Sequence, residues 1–395
     1  MKPSIALVYF NAGGGHRAAA LALQESMLAQ GRPWDVKLVN LFEVLDPKGR
    51  FLRITGIRPE DIYNKRLARG WTLGMGQELK LLQRLIRLCH GSFVTTLQQH
   101  WLQSEPDLVV SLVPNFNRAL CESVNSSMPG VPFVTVMTDL ADHPPNFWIE
   151  PGQSRQHVVC GTPRALEQAR AAGCAEERLT LSSGMVLRPS FYAARPDPEG
   201  ERRAGREALG LDPDAPTGLV MFGGHGSLRM LKIARALKDR QLILMCGHNE
   251  ALMARLKAQG SEAPHAVVGF TSEVARHLRV ADYFIGKPGP GCLSEAVHMG
   301  LPVITSCGVG TLPQERYNAQ WVRETGVGLV LPSMRGIATG VDEMTSRLPE
   351  FQAGVARTHN RAVFEIPELF AQLLQRAANP GQGSLMPFSV PVLDA

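Results

Sequence analysis

The chain has no CxxC pair, and none of its hydrophobic runs approaches the roughly 18–20 residues that cross a bilayer as a helix. Its seven cysteines are an odd number and lie scattered along the sequence, so neither a disulfide framework nor a zinc site is expected. This pattern is typical of reduced thiols in the cytosol. Because the first predicted strand begins at Ser4, no secretory signal peptide is expected either.

The composition that remains is that of a globular protein with two domains. Hydrophobic residues make up 44% of the 395 residues and charged residues 19%, which is ordinary for such proteins. A chain of this length exceeds one ordinary hydrophobic core. Strand and helix patterns alternate along both halves, which predicts doubly wound α/β domains.

The predicted domain boundaries follow changes in composition. The first α/β domain is expected over residues 1–188 and the second over residues 217–355. Residues 189–216 are crowded with proline and charge and are predicted to form a linker that holds one short helix near residues 202–209. A closing helical segment, interrupted at its single proline, is predicted over residues 356–378, and a mobile tail over residues 379–395.

A glycine loop in the second half carries the most distinctive local pattern. Residues 286–291 read Gly-Lys-Pro-Gly-Pro-Gly, after an apolar run and before a helical pattern. Gly289 and Gly291 let the backbone approach a ligand, and the N–H groups at a helix start face an anion. Glu295 lies one turn inside the helix, where it could accept two ribose hydroxyls. The stretch predicts a sugar-diphosphate or nucleotide site, although an ordinary strand-to-helix turn has the same pattern.

Two polar loops follow predicted strands in the first half. Residues 11–17 read Asn-Ala-Gly-Gly-Gly-His-Arg, and His16 would project at the carboxyl end of its strand, the usual ligand position in an open α/β sheet. A plain helix-start cap is the other interpretation of His16. Residues 138–148 form the second loop, which contains Asp139.

A basic segment spans residues 48–88. Ten Lys or Arg against three Asp or Glu lie between Lys48 and Arg87, a net charge of +7, and aromatic and aliphatic side chains interleave with them. The helix predicted from Gln77 to Leu88 has apolar residues at 79, 82, 85 and 86 and cations on the opposite side. Such a surface suits an anionic lipid interface, although a solvated charged face over a core is also consistent with it. Nucleic acid is disfavoured, because the segment carries no recognised binding motif.

Ordered motifs in both halves resemble one group of glycosyltransferases. In the second half, five short motifs resemble the donor-site signature of MurG-type transferases. They are Gly269-Phe270-Thr271, Gly289-Pro290-Gly291, Ser294-Glu295-Ala296, Gly300-Leu301-Pro302 and the run from Gln314 to Ala319. In the first half, residues 11–20 and Thr138-Asp139-Leu140 with His143-Pro144 resemble monogalactosyldiacylglycerol synthases and bacterial processive diacylglycerol glycosyltransferases of glycosyltransferase family 28. The resemblance runs from residue 5 to about residue 330, and it implies the GT-B fold, in which two Rossmann-like domains face each other across a cleft.

The resemblance also implies a role for individual residues. Gly289 and Gly291 with the following helix start would hold the donor diphosphate, Glu295 the ribose, and the backbone around Phe270 the uracil. The transferred hexose would be contacted by Gln314, Glu315 and Asn318. Gly14, Gly15 and His16 would face the acceptor, and either His16 or Asp139 would be the general base on the acceptor hydroxyl. The family usually has a glycine pair where this chain has Lys287-Pro288, so Lys287 could supply a cation to the diphosphate or point to solvent.

The implied function is an inverting hexosyltransferase. It would move galactose or glucose from UDP-galactose or UDP-glucose to diacylglycerol or a glycosyldiacylglycerol, with no metal, separate cofactor or nucleic acid. We expect it in the cytoplasm, peripheral on the inner face of the cell membrane and bound to anionic lipid through residues 48–88. The alternatives are a UDP-sugar transferase for a polyprenyl-linked or soluble acceptor, a UDP-sugar 2-epimerase of the same fold, and a non-catalytic nucleotide-sugar sensor.

Overall fold

A computed structural model describes residues 2–11, 14–49, 53, 75–152 and 155–379. These residues divide into two compact units, each built on a parallel β-sheet. The first unit holds the described residues up to 189 together with residues 360–379, and the second holds residues 190–359. The prediction of two doubly wound α/β domains is confirmed.

The sheet of the first unit has six parallel strands in the order β2-β1-β3-β4-β5-β6. They are β1 (Ser4–Tyr9), β2 (Asp35–Asn40), β3 (Leu108–Ser111), β4 (Phe133–Val136), β5 (Gln156–Cys160) and β6 (Leu179–Leu181). Strand β1 pairs on both sides, since Ile5 lies opposite Val36 and opposite Leu108. Strands β3 and β4 are buried along their whole length, which explains their nearly continuous apolar sequences.

Helices connect these strands. They are α1 (Gly15–Ala29), α2 (Leu41–Leu45), α3 (Met75–Leu88), α4 (His90–Ser104), α5 (Asn117–Ser127) and α6 (Pro163–Ala171). Helices α4 and α5 pack through Trp101, which is fully buried and donates its indole N–H to Ser123 Oγ at 2.9 Å. Among the residues that the structure describes, no helix has both the length and the apolar character needed to span a bilayer.

The second unit repeats the architecture with another strand order, β12-β11-β10-β7-β8-β9. Its strands are β7 (Thr217–Met221), β8 (Gln241–Met245), β9 (His265–Val268), β10 (Tyr283–Gly286), β11 (Val303–Ser306) and β12 (Gly328–Leu331). Its helices are α7 (Pro198–Ala208), α8 (Arg229–Ala236), α9 (Glu250–Gln259), α10 (Val274–Arg279), α11 (Pro290–His298), α12 (Arg316–Thr325), α13 (Ile337–Ser346) and α14 (Leu348–Ala356).

The segment predicted to be a linker is folded instead. Residues 190–216 belong to the second unit, and α7 begins at Pro198, a helix position that needs no N–H. Arg206 of α7 is 2% exposed and donates to the Val280 carbonyl at 2.8 Å and to Asp282 Oδ2 at 2.7 Å. The short helix predicted near residues 202–209 is therefore present, but it belongs to the second unit and is fixed there by a buried ion pair.

The closing segment also differs from the prediction. Residues 356–378 divide between the units, because α14 ends in the second unit and the last helix, α15 (Ala362–Ala378), packs on α1 in the first. This helix continues through Pro367. Proline cannot donate to the carbonyl four residues earlier, and Ser26 Oγ donates to that carbonyl, of Val363, at 2.8 Å. Most of the predicted mobile tail, residues 380–395, lies outside the described residues.

The strand orders place ligand positions in both units. In an open parallel sheet, ligands bind beyond the carboxyl ends of the strands at the point where the strand order reverses. That point lies between β1 and β3 in the first sheet and between β10 and β7 in the second. The loops that follow β1 and β10 are the two glycine loops that the sequence singled out.

The buried ion pair of α7 allows a stability test. Arg206→Ala leaves Asp282 without its closest cation in a site that is 12% exposed, so we expect a loss of about 3–5 kcal/mol in the free energy of unfolding. Arg203→Ala on the same helix removes a pair whose side chains are 44% and 73% exposed, and should cost about 1 kcal/mol or less. Chemical denaturation measures both, and equal losses would contradict the folded role of this segment.

Candidate functional site

In the first unit, His16 lies in the first turn of α1, beyond the carboxyl end of β1. The helix begins after Gly14, whose φ of 81° is left-handed and favours glycine. Gly14 and Gly15 are both exposed, and a Cβ at either would meet no atom within 4 Å. Their surfaces are therefore open. Ala12 and Gly13 of this loop lie outside the described residues.

The His16 ring is oriented by the loop that follows β4. Its Nδ1 lies 3.0 Å from Thr138 Oγ1, and the ring is half-buried. Removal of water lowers the pKa of His16 to about 4, although a hydrogen bond to the Leu112 carbonyl opposes this shift. The imidazole is therefore neutral at neutral pH, which is the form that can accept a proton.

Asp139 is the neighbour of Thr138 and is buried, with 7% of its surface exposed. Its Oδ2 accepts the indole N–H of Trp148 at 2.8 Å, and the Trp148 ring centroid is 5.9 Å from that of His16. The two candidate bases, His16 and Asp139, thus lie beside one tryptophan. The structure brings them together although 122 residues separate His16 from Thr138.

Asp142 holds the backbone of the same loop in place. Its carboxylate accepts three backbone N–H groups, from Asn146 at 3.0 Å, Phe147 at 2.9 Å and Trp148 at 2.6 Å. Burial raises the pKa of Asp142, and these N–H groups oppose the shift. The sequence showed that the loop was polar, but it gave no sign that Asp142 organises the loop while Thr138 and Trp148 hold the candidate bases.

In the second unit, α11 begins directly after the glycine loop. Gly289 is its N-cap, no side chain caps the helix, and Pro290 at the first position has no N–H. The next N–H groups, of Gly291 and Cys292, lie at the positive end of the helix. Gly291 is exposed, and a Cβ there would meet nothing within 4 Å, so an anion can approach this turn. Glu295, one turn further, is half-buried.

Lys287 is held over this loop by a buried carboxylate. Its Nζ lies 2.5 Å from Glu315 Oε1, with side chains 30% and 8% exposed respectively. Its Cε would lie 3.2 Å from a Cβ on Gly289. Lys287 therefore lies against the first turn of α11 and does not simply point to solvent. Glu315, predicted to contact the hexose, pairs with Lys287.

Asn318 supports the glycine loop from helix α12. It is fully buried, and its Nδ2 donates to the Pro288 carbonyl at 2.8 Å. The predicted contacts of Gln314, Glu315 and Asn318 with the hexose stay predictions. Gln314 is half-buried.

A third glycine loop, which follows β7, packs against the first turn of α11. A backbone hydrogen bond from Gly223 reaches the Cys292 thiol, and burial raises the pKa of that thiol to about 12. The loops after β7 and β8 are also locked together, since His248 N donates to the Gly224 carbonyl at 2.9 Å. Gly247 has a φ of 58°, and a Cβ there would lie 2.1 Å from the same carbonyl oxygen. Backbone contacts thus hold the loops beyond β7, β8 and β10 together.

Phe270 lies beyond β9 as an exposed aromatic residue. Its ring is 63% exposed and stacks on His248, with centroids 3.7 Å apart and planes at 18°. Sequence reasoning assigned only the backbone of Phe270 and missed His248, because nothing local relates the two loops. Among the described residues, no group of three or more His, Cys, Asp or Glu side chains is arranged to hold a metal ion.

No protein-family model matches the chain. In sequence, it is 26% identical to the probable monogalactosyldiacylglycerol synthase 2, chloroplastic, of Oryza sativa subsp. japonica, over 95% of this chain and 81% of that protein. It is also 26% identical to monogalactosyldiacylglycerol synthase 1, chloroplastic, of Arabidopsis thaliana, over 85% of this chain but only 63% of that protein. These relatives confirm the resemblance that the motifs indicated.

Solved structures resemble the chain over almost its whole length. MurG from Acinetobacter baumannii covers 94% of this chain and 100% of its own, with a TM-score of 0.57 and 13% identity. Os79 from Oryza sativa, in complex with UDP, covers 95% and 99%, with a TM-score of 0.60 and 12% identity. The UDP-GlcNAc 2-epimerase from Neisseria meningitidis, bound to UDP-GlcNAc, covers 94% and 100%, with a TM-score of 0.55 and 13% identity. At these identities the likeness shows the fold alone, and it confirms GT-B.

The environment of His16 makes a prediction about pH. Because its pKa is lowered on folding, the unfolded chain binds a proton at this position more readily than the folded one between pH 6.5 and about 4. The stability that neutral His16 contributes is therefore present above pH 6.5 and is lost as the pH falls through that window. NMR titration should give His16 a midpoint near pH 4, and His16→Gln should lose less stability on acidification than the wild type. A midpoint near 6.5 would contradict this environment.

Proposed function

We infer that this chain, a GT-B protein related in sequence to the monogalactosyldiacylglycerol synthases, is a glycolipid glycosyltransferase. We propose that it transfers galactose or glucose, with inversion, from a UDP-sugar to diacylglycerol or a glycosyldiacylglycerol. The observation that carries the proposal is the sequence relationship to galactolipid synthases over 95% of the chain. It is supported by candidate residues at the strand-order reversal of each sheet.

The second unit would hold the donor. The exposed first turn of α11 offers backbone N–H groups to a diphosphate, and Lys287 lies against the same turn. Charge-assisted hydrogen bonds of this type contribute roughly 1.5–3 kcal/mol each. They would stabilise the negative charge that develops on the leaving diphosphate. Glu295 would bind the ribose, Phe270 would lie at the uracil, and Gln314 would contact the hexose.

The first unit would activate the acceptor. In-line attack on the anomeric carbon requires that the acceptor hydroxyl lose its proton to a base. Neutral His16 and the buried Asp139 are the two candidates, and Gly14 and Gly15 leave open space beside His16. We propose His16 as the base, with Asp139 as the alternative.

Helix α3 presents an apolar surface that is suited to a membrane. Of the residues on its predicted apolar side, Leu82 and Leu85 are 46% and 50% exposed, while Ile86 is buried. Leu81 and Leu88 are also exposed, by 57% and 81%. The exposed leucines share the helix with the cations Lys80, Arg84 and Arg87.

Leucines beside cations are the composition of a surface that enters the headgroup region of an anionic leaflet. We therefore propose that the protein binds peripherally to the inner face of the cell membrane through α3. Residues 50–52 and 54–74 of the predicted lipid-binding segment lie outside the described residues and do not enter this argument.

The function is tested by direct assay. Purified protein, diacylglycerol in anionic vesicles and each radiolabelled UDP-sugar should yield a glycosyldiacylglycerol with at least one donor. Glu295→Ala should raise the donor KM about tenfold or more through lost ribose hydrogen bonds, whereas His16→Ala should mainly lower kcat.

The same assay separates the alternatives. If product formed only with polyprenyl phosphate or a soluble acceptor, that compound class would be the acceptor in place of diacylglycerol. Conversion of UDP-sugar without any acceptor would indicate an epimerase. Donor binding without either reaction would indicate a sensor. An unchanged donor KM in Glu295→Ala would show that the glycine loop does not hold the nucleotide sugar.

Membrane binding is tested by vesicle sedimentation. The double variant Leu85→Ala with Leu88→Ala should weaken binding to anionic vesicles about tenfold or more, because each leucine contributes roughly 1.5–3 kcal/mol when fully buried. The matched control changes Leu28 and Leu102, which are 80% and 58% exposed on α1 and α4 of the same unit. Equal effects of the two sets would argue against α3 as the lipid-binding surface.

A further inference from the structure

We propose that Trp148 is a positioning residue for the transfer reaction: its indole N–H holds the Asp139 carboxylate beside His16. The inference rests on the proposed function, because it assigns a role to the acceptor side of that reaction. Neither the motifs nor the loop composition indicated any role for this tryptophan.

The contact that supports this role is buried and short. Trp148 is fully buried, Asp139 is 7% exposed, and the indole N–H donates to Asp139 Oδ2 at 2.8 Å. A buried carboxylate is costly unless donors compensate for the lost water, and hydrogen bonds to a charged acceptor are about twice as strong as neutral ones. The Trp148 indole therefore stabilises the ionised form of Asp139 and fixes the position of one of its oxygens.

The chemistry of indole limits what Trp148 can do there. Its N–H is a donor only, so it can neither accept the acceptor's proton nor relay it. Its ring also lies 5.9 Å from the His16 ring, and Thr138 Oγ1 holds that imidazole at 3.0 Å. One tryptophan thus contacts both candidate bases without taking part in proton transfer, which defines positioning rather than catalysis.

Trp148 is itself held from several directions. Its backbone N–H donates to Asp142 Oδ1 at 2.6 Å, and its carbonyl accepts from Asn117 Nδ2 at 2.9 Å. Asn117 is fixed in turn by Ser111 Oγ, which donates to its Oδ1 at 2.6 Å. Ser111 ends β3, the strand at the reversal point of the sheet. The position of the indole is therefore fixed relative to the sheet. Because the indole contacts Asp139, the position of that carboxylate is fixed as well.

A matched control exists in the same unit. Trp101 is also fully buried and donates its indole N–H at 2.9 Å, but to the neutral hydroxyl of Ser123. Trp148→Phe and Trp101→Phe remove the same atoms, so their costs in packing should be similar. Only Trp148→Phe removes a hydrogen bond to a carboxylate at the candidate site, whereas Trp101→Phe removes one to a serine hydroxyl.

The experiment compares these variants in the full-length protein. We expect both to lower Tm, and only Trp148→Phe to lower kcat with vesicle-bound diacylglycerol, by about tenfold or more, with the donor KM unchanged. Where Asp139 is the base, the acid limb of the pH–rate profile should also move to higher pH by about one unit, because the carboxylate loses a donor that favours its charged form. Replacement of Trp148 by benzothienylalanine, an isostere without the N–H, should reproduce the kinetic change without the packing loss.

A readout independent of turnover accompanies the kinetics. The titration of Asp139, followed by NMR with selectively labelled aspartate, should move to higher pH in Trp148→Phe and in the benzothienylalanine protein, but not in Trp101→Phe. If the wild type made no glycolipid, the proposed function would fail, and this titration would still decide whether Trp148 holds the carboxylate. An unchanged Asp139 titration, or equal kinetic losses in Trp148→Phe and Trp101→Phe, would overturn the inference.

Discussion

The carboxyl ends of parallel strands are the constraint on which both candidate sites depend. Each sheet reverses its strand order once, and at that point the loops of neighbouring strands diverge and leave a crevice. His16 lies beyond β1 and Thr138 beyond β4 in the first sheet, while the first turn of α11 lies beyond β10 in the second. Residues far apart in sequence become neighbours because a parallel sheet places all these loops on one edge.

The two candidate sites differ in their electrostatic environment. In the first unit, burial keeps His16 neutral and the Trp148 indole donates to Asp139, so a candidate base can be partly accessible without being protonated. In the second unit, backbone N–H groups at a helix start carry positive potential, and the Lys287 ammonium lies beside them, held in place by the buried Glu315. These are the environments that the proposed proton acceptor and the proposed diphosphate leaving group would respectively require.

Structural support for both sites comes from residues with no obvious function. Asp142 gathers three backbone N–H groups and shapes the loop that carries Trp148. Asn318 holds the Pro288 carbonyl, and Gly247 allows the backbone of one loop to approach that of another. Arg206 fixes α7 to the start of β10 through Asp282. Each of them satisfies a buried polar group or permits a close approach, which explains residue choices that the proposed chemistry does not.

The amino-acid sequence by itself determined the two α/β units, the two glycine loops and the relationship to glycolipid synthases, because strand and helix periodicity and glycine spacing are local signals. The partners of those residues were decided only by the tertiary structure. Thr138 and Trp148 beside His16, Glu315 on Lys287, and His248 under Phe270 are contacts across loops, and no local pattern encodes them. The same holds for α7, where prolines typical of a linker flank a helix that Arg206 holds in place, and for α15, where Ser26 from a distant helix accommodates Pro367. Burial and long-range pairing decided each of these, since both depend on which strands become neighbours in the folded sheet.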